Sequence, residues 1–186
     1  MGKHKILKKK YLRRFGSLHD VKSKNMIAKR KTEFGKRFEE KQKIKFLYGI
    51  SEKQFSRYVD ESLKSHRDPA IDLCRRLELR LDSSVYHLGF AKTREQARQL
   101  IIHGHVLVNN QKVDIPSYHL EPRDTISLKK EILENILVKE AISLKRPADL
   151  PTWLERENAR GTIKHLPKKE EIRRDLEFDM VIEFYS

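Results

Sequence analysis

Apolar residues recur at helical spacing through the first half of the chain and turn to strand-like alternation after about residue 104. Phe55, Tyr58, Val59 and Leu63 form one stripe at i, i+3, i+4 and i+8 behind Ser51-Glu52-Lys53-Gln54, a capping box, and predict a helix. Asp68-Pro69 supplies an N-cap with proline at the first helical position, and Ile71, Cys74, Leu77 and Leu81 then turn toward a core. Thr93-Arg94-Glu95-Gln96 fits a second capping box, in which Gln96 is expected to reach back to the cap. Behind it Ala97, Leu100 and Ile101 face inward, and Gly104 closes the helix as a left-handed C-cap. Arg94 and Arg98 are left together on the other face at i, i+4 spacing, where they are predicted to point outward.

Residues 105–108 and 111–114 then read as strands around Asn109-Asn110, two residues that tolerate the left-handed conformations of a tight hairpin. Pro122-Arg123-Asp124 marks a turn before a third strand over residues 125–128. Ile132, Leu133, Ile136, Leu137 and Leu144 suggest a helix ending before Pro147, while residues 162–166 and 180–185 supply late strands. The pattern therefore predicts an α+β protein in three parts. A basic segment covers residues 1–31. A helical domain covers 32–80 and is joined by a C-terminal strand, 178–186. Two short helices packed on a small, mainly antiparallel sheet, with a C-terminal extension, cover 81–177.

Composition narrows the class. A chain of 186 residues with 38% apolar content supports one or two small domains and modest cores, which is low for a large enzyme. No apolar run approaches bilayer length and the basic start has no apolar h-region, so neither a membrane span nor a secretory signal is expected. One cysteine, Cys74, excludes an internal disulfide, and its place on an apolar helix face makes it a core residue. Charge changes the picture most. The net charge is +14, and residues 1–50 hold 17 lysines and arginines against 4 acidic residues. Such a block is a phosphate-binding arm or an anchor for an acidic surface. Residues 3–31 carry too few regularly spaced apolar positions to offset their own ordering entropy, so order is expected only against a polyanion. A solvated tail or an organelle-targeting peptide are the alternatives, although targeting peptides favour arginine and serine over the lysine that dominates here.

Candidate chemistry is sparse. His103-Gly104-His105 offers two imidazoles, but without cysteine pairs or a His-Glu-x-x-His helix no metal site is expected; donation to phosphate or ribose, or plain exposure, remain. There is no nucleophile elbow, no phosphate-cradling glycine loop and no carboxylate pair in a recognisable motif. Catalytic residues, a cofactor and a small-molecule substrate are therefore not expected.

Residues 80–109 closely resemble the small RNA-binding domain named after ribosomal protein S-four, and the likeness continues through Val113-Asp-Ile-Pro-Ser-Tyr-His119. That module is also appended to pseudouridine synthases, tyrosyl-tRNA synthetases and a heat-shock RNA-binding protein, so the flanks decide. Residues 39–58 upstream, and Pro151-Thr-Trp-Leu-Glu155 with residues 181–186 downstream, are similar to the bacterial-type ribosomal S-four family, a likeness that spans roughly residues 33 to 186. Family members with N-terminal zinc-binding cysteines, or with a Pro-Gly-Gln-His-Gly segment there, differ from this chain, which has neither between Arg14 and Thr32.

The resemblance implies a helical domain with an inserted S-four-type domain, acting as a structural, non-enzymatic part of the small ribosomal subunit that binds its rRNA directly. It further implies early binding at a junction in the rRNA 5′ domain, a place by the mRNA entrance beside ribosomal proteins S-three and S-five, and an influence on decoding accuracy. The location implied is a ribosome, in bacterial cytoplasm or in an organelle of bacterial ancestry. RNA contacts are expected from Arg13 and Arg14 in the arm and from Lys41, Lys43, Lys45, Arg57 and Tyr58 in the helical block. In the small domain they are expected from Arg80, Lys92, Arg94, Arg98, His103, His105, Lys112, Ser117 and Tyr118. For each lysine and arginine the competing reading is a solvated face, and the competing class is a free regulatory RNA-binding protein.

Overall fold

The computed structural model describes residues 32–144, 149–171 and 175–186. Five helices come first: α1 (Glu33–Tyr48), α2 (Glu52–Leu63), α3 (Pro69–Glu78), α4 (Leu81–His87) and α5 (Arg94–Ile102). Their boundaries follow local chemistry. Thr32 Oγ1 accepts from the Gly35 amide, Ser51 Oγ from Gln54 and Thr93 Oγ1 from Gln96, while Asp68 Oδ1 accepts from Ala70 and Ile71 ahead of Pro69 at the helix start. Gly49 (φ +59°) and Gly104 (φ +71°) occupy the left-handed position after α1 and α5, where a side chain would crowd the backbone. One detail differs from the expected box: the Gln96 Oε1 atom accepts from the Lys92 amide at 2.8 Å, one residue before the cap.

The strands are β1 (Val106–Val108), β2 (Gln111–Lys112), β3 (Thr125–Leu128), β4 (Leu154–Glu157) and β5 (Arg160–Ile163), ordered β2-β1-β3-β5-β4 with every pair antiparallel. Asn109 (φ 51°) and Asn110 (φ 65°) make the two-residue connection of β1 and β2, with the paired positive φ of a type I′ turn. Gly161 of β5 faces Leu88, the residue that ends α4. A Cβ there would overlap the Leu88 side chain, so glycine lets β5 lie against the helix.

Three expectations are corrected. The helix predicted over 132–144 is two, α6 (Lys130–Leu133) and α7 (Ile136–Leu144), because Asn135 interrupts it: its Oδ1 accepts from the Leu137 amide and starts a new helix. Ile136, 72% exposed, Leu137 and Leu144 then point outward, and Val138 and Ala141 pack inward instead. The strand expected over 162–166 runs from 160 to 163 and pairs with β4, which alternation had not revealed. Residues 178–186 are not a strand; Phe178–Tyr185 form α8.

Two apolar cores result. Ile44, Tyr48, Phe55, Val59, Leu73, Cys74 and Leu77 join Leu176, Phe178 and Val181, so α8 closes the helical core. Leu81, Val85, Leu88, Phe90, Ala97, Ile101, Val106, Ile126, Trp153 and Ile163 form the second, between α4, α5 and the sheet. Each large side chain fully removed from water contributes roughly 1.5–3 kcal/mol. Between the cores lies the Glu78–Asp82 turn, pinned by Leu81 N donating to Tyr118 O at 2.9 Å and Asp82 N to Pro116 O at 3.1 Å.

Candidate nucleic-acid interface

The arginines expected to face outward do not. Asp82 is buried and takes both Arg80 (Nε to Oδ1 3.0 Å, Nη2 to Oδ2 2.8 Å) and Arg98 (Nε to Oδ2 2.7 Å). Arg80 Nη1 also donates to the buried Tyr58 hydroxyl at 2.9 Å. Arg98 spends its remaining donors on the carbonyls of Tyr48 and Gly49, the C-terminal end of α1, where a cation also meets the negative end of the helix dipole. Arg94 is 7% exposed, with its guanidinium 4.7 Å from the Tyr48 ring and 4.6 Å from the Tyr86 ring. Beside it Glu78 accepts from Tyr48 Oη at 2.6 Å and Ser83 Oγ at 3.1 Å and lies 2.7 Å from His87 Nε2. Burial pushes the Glu78 carboxyl up, but the charges of His87 and Arg94 and the Tyr48 hydroxyl outweigh it and hold it well below the usual range. These groups join the helical core to the sheet-bearing core, so Arg80, Arg94, Arg98 and Tyr58 act as internal fasteners.

The α1 lysines are likewise engaged. Lys41 is buried, 4.5 Å from the Phe184 ring, and its ammonium meets Glu52 Oε1 at 2.8 Å; Lys45 meets Glu52 Oε2 at 2.7 Å, and Lys43 meets Glu40 at 3.2 Å. Burial raises the Glu52 carboxyl, but bonds from Lys41, Lys45 and Tyr185 bring it down to about 2. Its folded value thus lies below the ordinary 4.5, so this contribution is present above pH 4.5 and is lost as pH falls toward 2. Glu52 is 47% exposed, and solvent screening limits the effect to about 1 kcal/mol. Glu52→Gln is therefore expected to be less stable than the parent by about that much at neutral pH, with the gap narrowing at pH 2–3 in urea titrations. A gap independent of pH would show that the charge on Glu52 does not hold α8 and α1 together.

Open positions lie elsewhere. Arg57 is exposed and only loosely paired with Glu61 at 3.5 Å, and Lys92 is exposed and paired with Glu140. His103 and His105 stack with parallel rings 6.2 Å apart, and the stem of Lys112 lies over Gly104 between them, so the α5 end and the β2 strand bring three predicted residues together. Tyr118 is exposed and Ser117 half-buried in the loop that docks on Asp82. Arg13 and Arg14 lie outside the described residues. Sequence reasoning missed Asp82 and Glu78, the acids around which the arginines are held, and missed the exposed cations Arg123, Lys130, Arg160 and Lys164. The close spacing of Arg80 and Asp82 was the available signal for the first. Among the described residues, no three His, Cys, Asp or Glu side chains could hold a metal together, and no helix is long and apolar enough to cross a membrane.

A helical block fastened to an α5–hairpin unit with a basic, imidazole-bearing end defines the class. The S4 domain model matches residues 79–126, and the model described as the ribosomal protein S4/S9 N-terminal domain matches residues 3–78, reaching upstream of residue 33 into the basic arm. Similar proteins include "Small ribosomal subunit protein uS4" of Persephonella marina, 47% identical over 83% of this chain and 77% of that protein. The proteins of that name from Aquifex aeolicus (47%, covering 85% and 77%) and Dictyoglomus thermophilum (46%, covering 86% and 78%) are similar over the same range. The chain belongs to the uS4 family of small-subunit ribosomal proteins.

Proposed function

We propose that this chain is a structural constituent of the small ribosomal subunit that binds its rRNA directly and has no enzymatic role. The observation that carries this reading is the division of its cations. Those at the junction are engaged internally around Asp82 and Glu78 and fix the two cores, while Arg57, Lys92 and Lys112, together with His103, His105, Ser117 and Tyr118, remain at open or half-open positions, where they are proposed as RNA contacts. A rigid frame holding open donors at set spacing favours one RNA junction geometry, and counterion release supplies affinity. The arm, with Arg13 and Arg14, is proposed to add phosphate contacts.

In finer terms, the proposal includes early binding that nucleates the rRNA 5′ domain, a place near the mRNA entrance beside ribosomal proteins S-three and S-five, and an influence on accuracy. The relatives cited are bacterial, which supports a ribosome in bacterial cytoplasm over an organellar one. The test is sedimentation of tagged full-length chain expressed in cells. It is expected to migrate with small subunits through a high-salt wash; release into the soluble fraction would instead favour a regulatory RNA-binding protein acting off the ribosome.

A further inference from the structure

The turn between Glu121 and Asp124 adopts a conformation that its sequence does not favour. Asp124 N donates to Glu121 O at 3.1 Å, which puts Pro122 second and Arg123 third in a β-turn, and Arg123 has φ +78°. This is a type II turn, whose third position selects glycine or asparagine because a Cβ is crowded at positive φ. Every other described non-glycine residue at positive φ is asparagine: Asn109, Asn110 and Asn158. Arginine lacks the short polar side chain that lets asparagine settle there.

The surrounding structure over-determines the turn. Asp124 Oδ2 accepts from Glu121 N and its Oδ1 from Asn109 Nδ2, both at 2.8 Å, which ties the turn to the β1–β2 connection. On the other side Arg123 N donates to Ile163 O at 2.7 Å and Ile163 N to Asp124 O at 3.0 Å, which ties it to β5. Thus the backbone of Arg123 is held on two sides, yet its side chain is exposed and makes no ion pair among the described residues. Strain of this kind persists where the surrounding structure over-determines it, and it clusters at ligand-binding positions.

We infer that Arg123 is an RNA-phosphate contact, displayed at the end of the sheet at a cost to the fold, its planar guanidinium matched to phosphate oxygens. The inference rests on the rRNA-binding reading and adds a residue to it. Arg123→Gly and Arg123→Lys are the variants, made in the full chain and measured by thermal unfolding and by titration with transcribed 5′-domain small-subunit rRNA over a salt series. Glycine is expected to raise Tm by about 2–4 °C, as relief of roughly 1 kcal/mol would in a chain of this size. The same variant is expected to lose on the order of tenfold in affinity, with the slope of log affinity against log salt shallower by about 0.9. Lysine is expected to keep the slope. If Arg123→Gly binds with the parent's affinity and slope, the inference falls while rRNA binding stands; if its Tm does not rise, the argument from strain falls. A folded parent that fails to bind this RNA overturns the rRNA-binding reading itself, and this inference with it.

Discussion

Glu78→Ala is expected to destabilise the folded chain by about 3–5 kcal/mol, because it removes the one carboxylate against which a buried cluster is built. Glu78 is the last residue of α3, and a carboxylate at the negative end of a helix is unfavourable unless cations offset it. Here His87 approaches to 2.7 Å, Arg94 lies between the Tyr48 and Tyr86 rings, and the Tyr48 and Ser83 hydroxyls donate. Alanine leaves the Arg94 guanidinium buried without that charge and strands two hydroxyl donors, whereas Glu78→Gln keeps the shape and should cost less. The folded carboxyl is depressed from the ordinary 4.5, so its stabilisation is complete above that pH and fades below it; the gap between parent and either variant should shrink in acid. Guanidinium unfolding at pH 7 and below pH 4 makes the comparison. A loss under about 1 kcal/mol for alanine would show that desolvation of the cluster cancels its attraction, as happens in some buried ion pairs.

Local chemistry made the helix starts and turns legible. The Thr93, Ser51 and Asp68 caps, the Gly104 left-handed end and the Asn109-Asn110 hairpin each depend on residues within four positions of one another, and each appears where its residues predict it. Where two periods compete, reading failed. Phe178, Val181, Ile182 and Tyr185 fall at i, i+3, i+4 and i+7, yet a short apolar run at a chain end reads as a strand until packing on Ile44 and Leu77 selects the helix. In β4 the inward alternation places Leu154 and Arg156 on the buried face, and a buried arginine conceals the pattern; its Nη1 reaches Leu88 O at 2.6 Å, a partner 68 positions away.

The candidate site divides along the same line. Periodicity correctly sets Arg94 and Arg98 opposite Ala97 and Ile101, but a face opposite one core is not thereby a solvent face. In this chain the helical core lies there, as the Arg98 contacts with Tyr48 and Gly49, across about fifty residues, reveal. His103, His105 and Lys112 converge because a helix end and a hairpin are sequential neighbours.

Arg98 supplies the sharpest separation of fastening from contact. Its guanidinium joins the buried Asp82 carboxylate to the last carbonyls of α1, and its side chain is one-fifth exposed, so alanine should cost about 2–3 kcal/mol through a lost charge-assisted pair and an uncapped helix end. Lysine, a point charge without the fork, cannot reach Asp82 and both carbonyls together and should recover only part of that loss. Affinity for small-subunit rRNA should fall with Arg98→Ala because the two halves of the frame lose their fixed spacing. The dependence on salt should not change, since a guanidinium held between Asp82 and the α1 carbonyls meets no phosphate and so displaces no counterion from RNA. The measurement is a salt series of RNA titrations on parent, alanine and lysine variants, at a temperature where unfolding curves show all three folded. A slope shallower by about 0.9 in the alanine variant would instead make Arg98 a phosphate contact, and would mean that its pair with Asp82 opens when RNA binds.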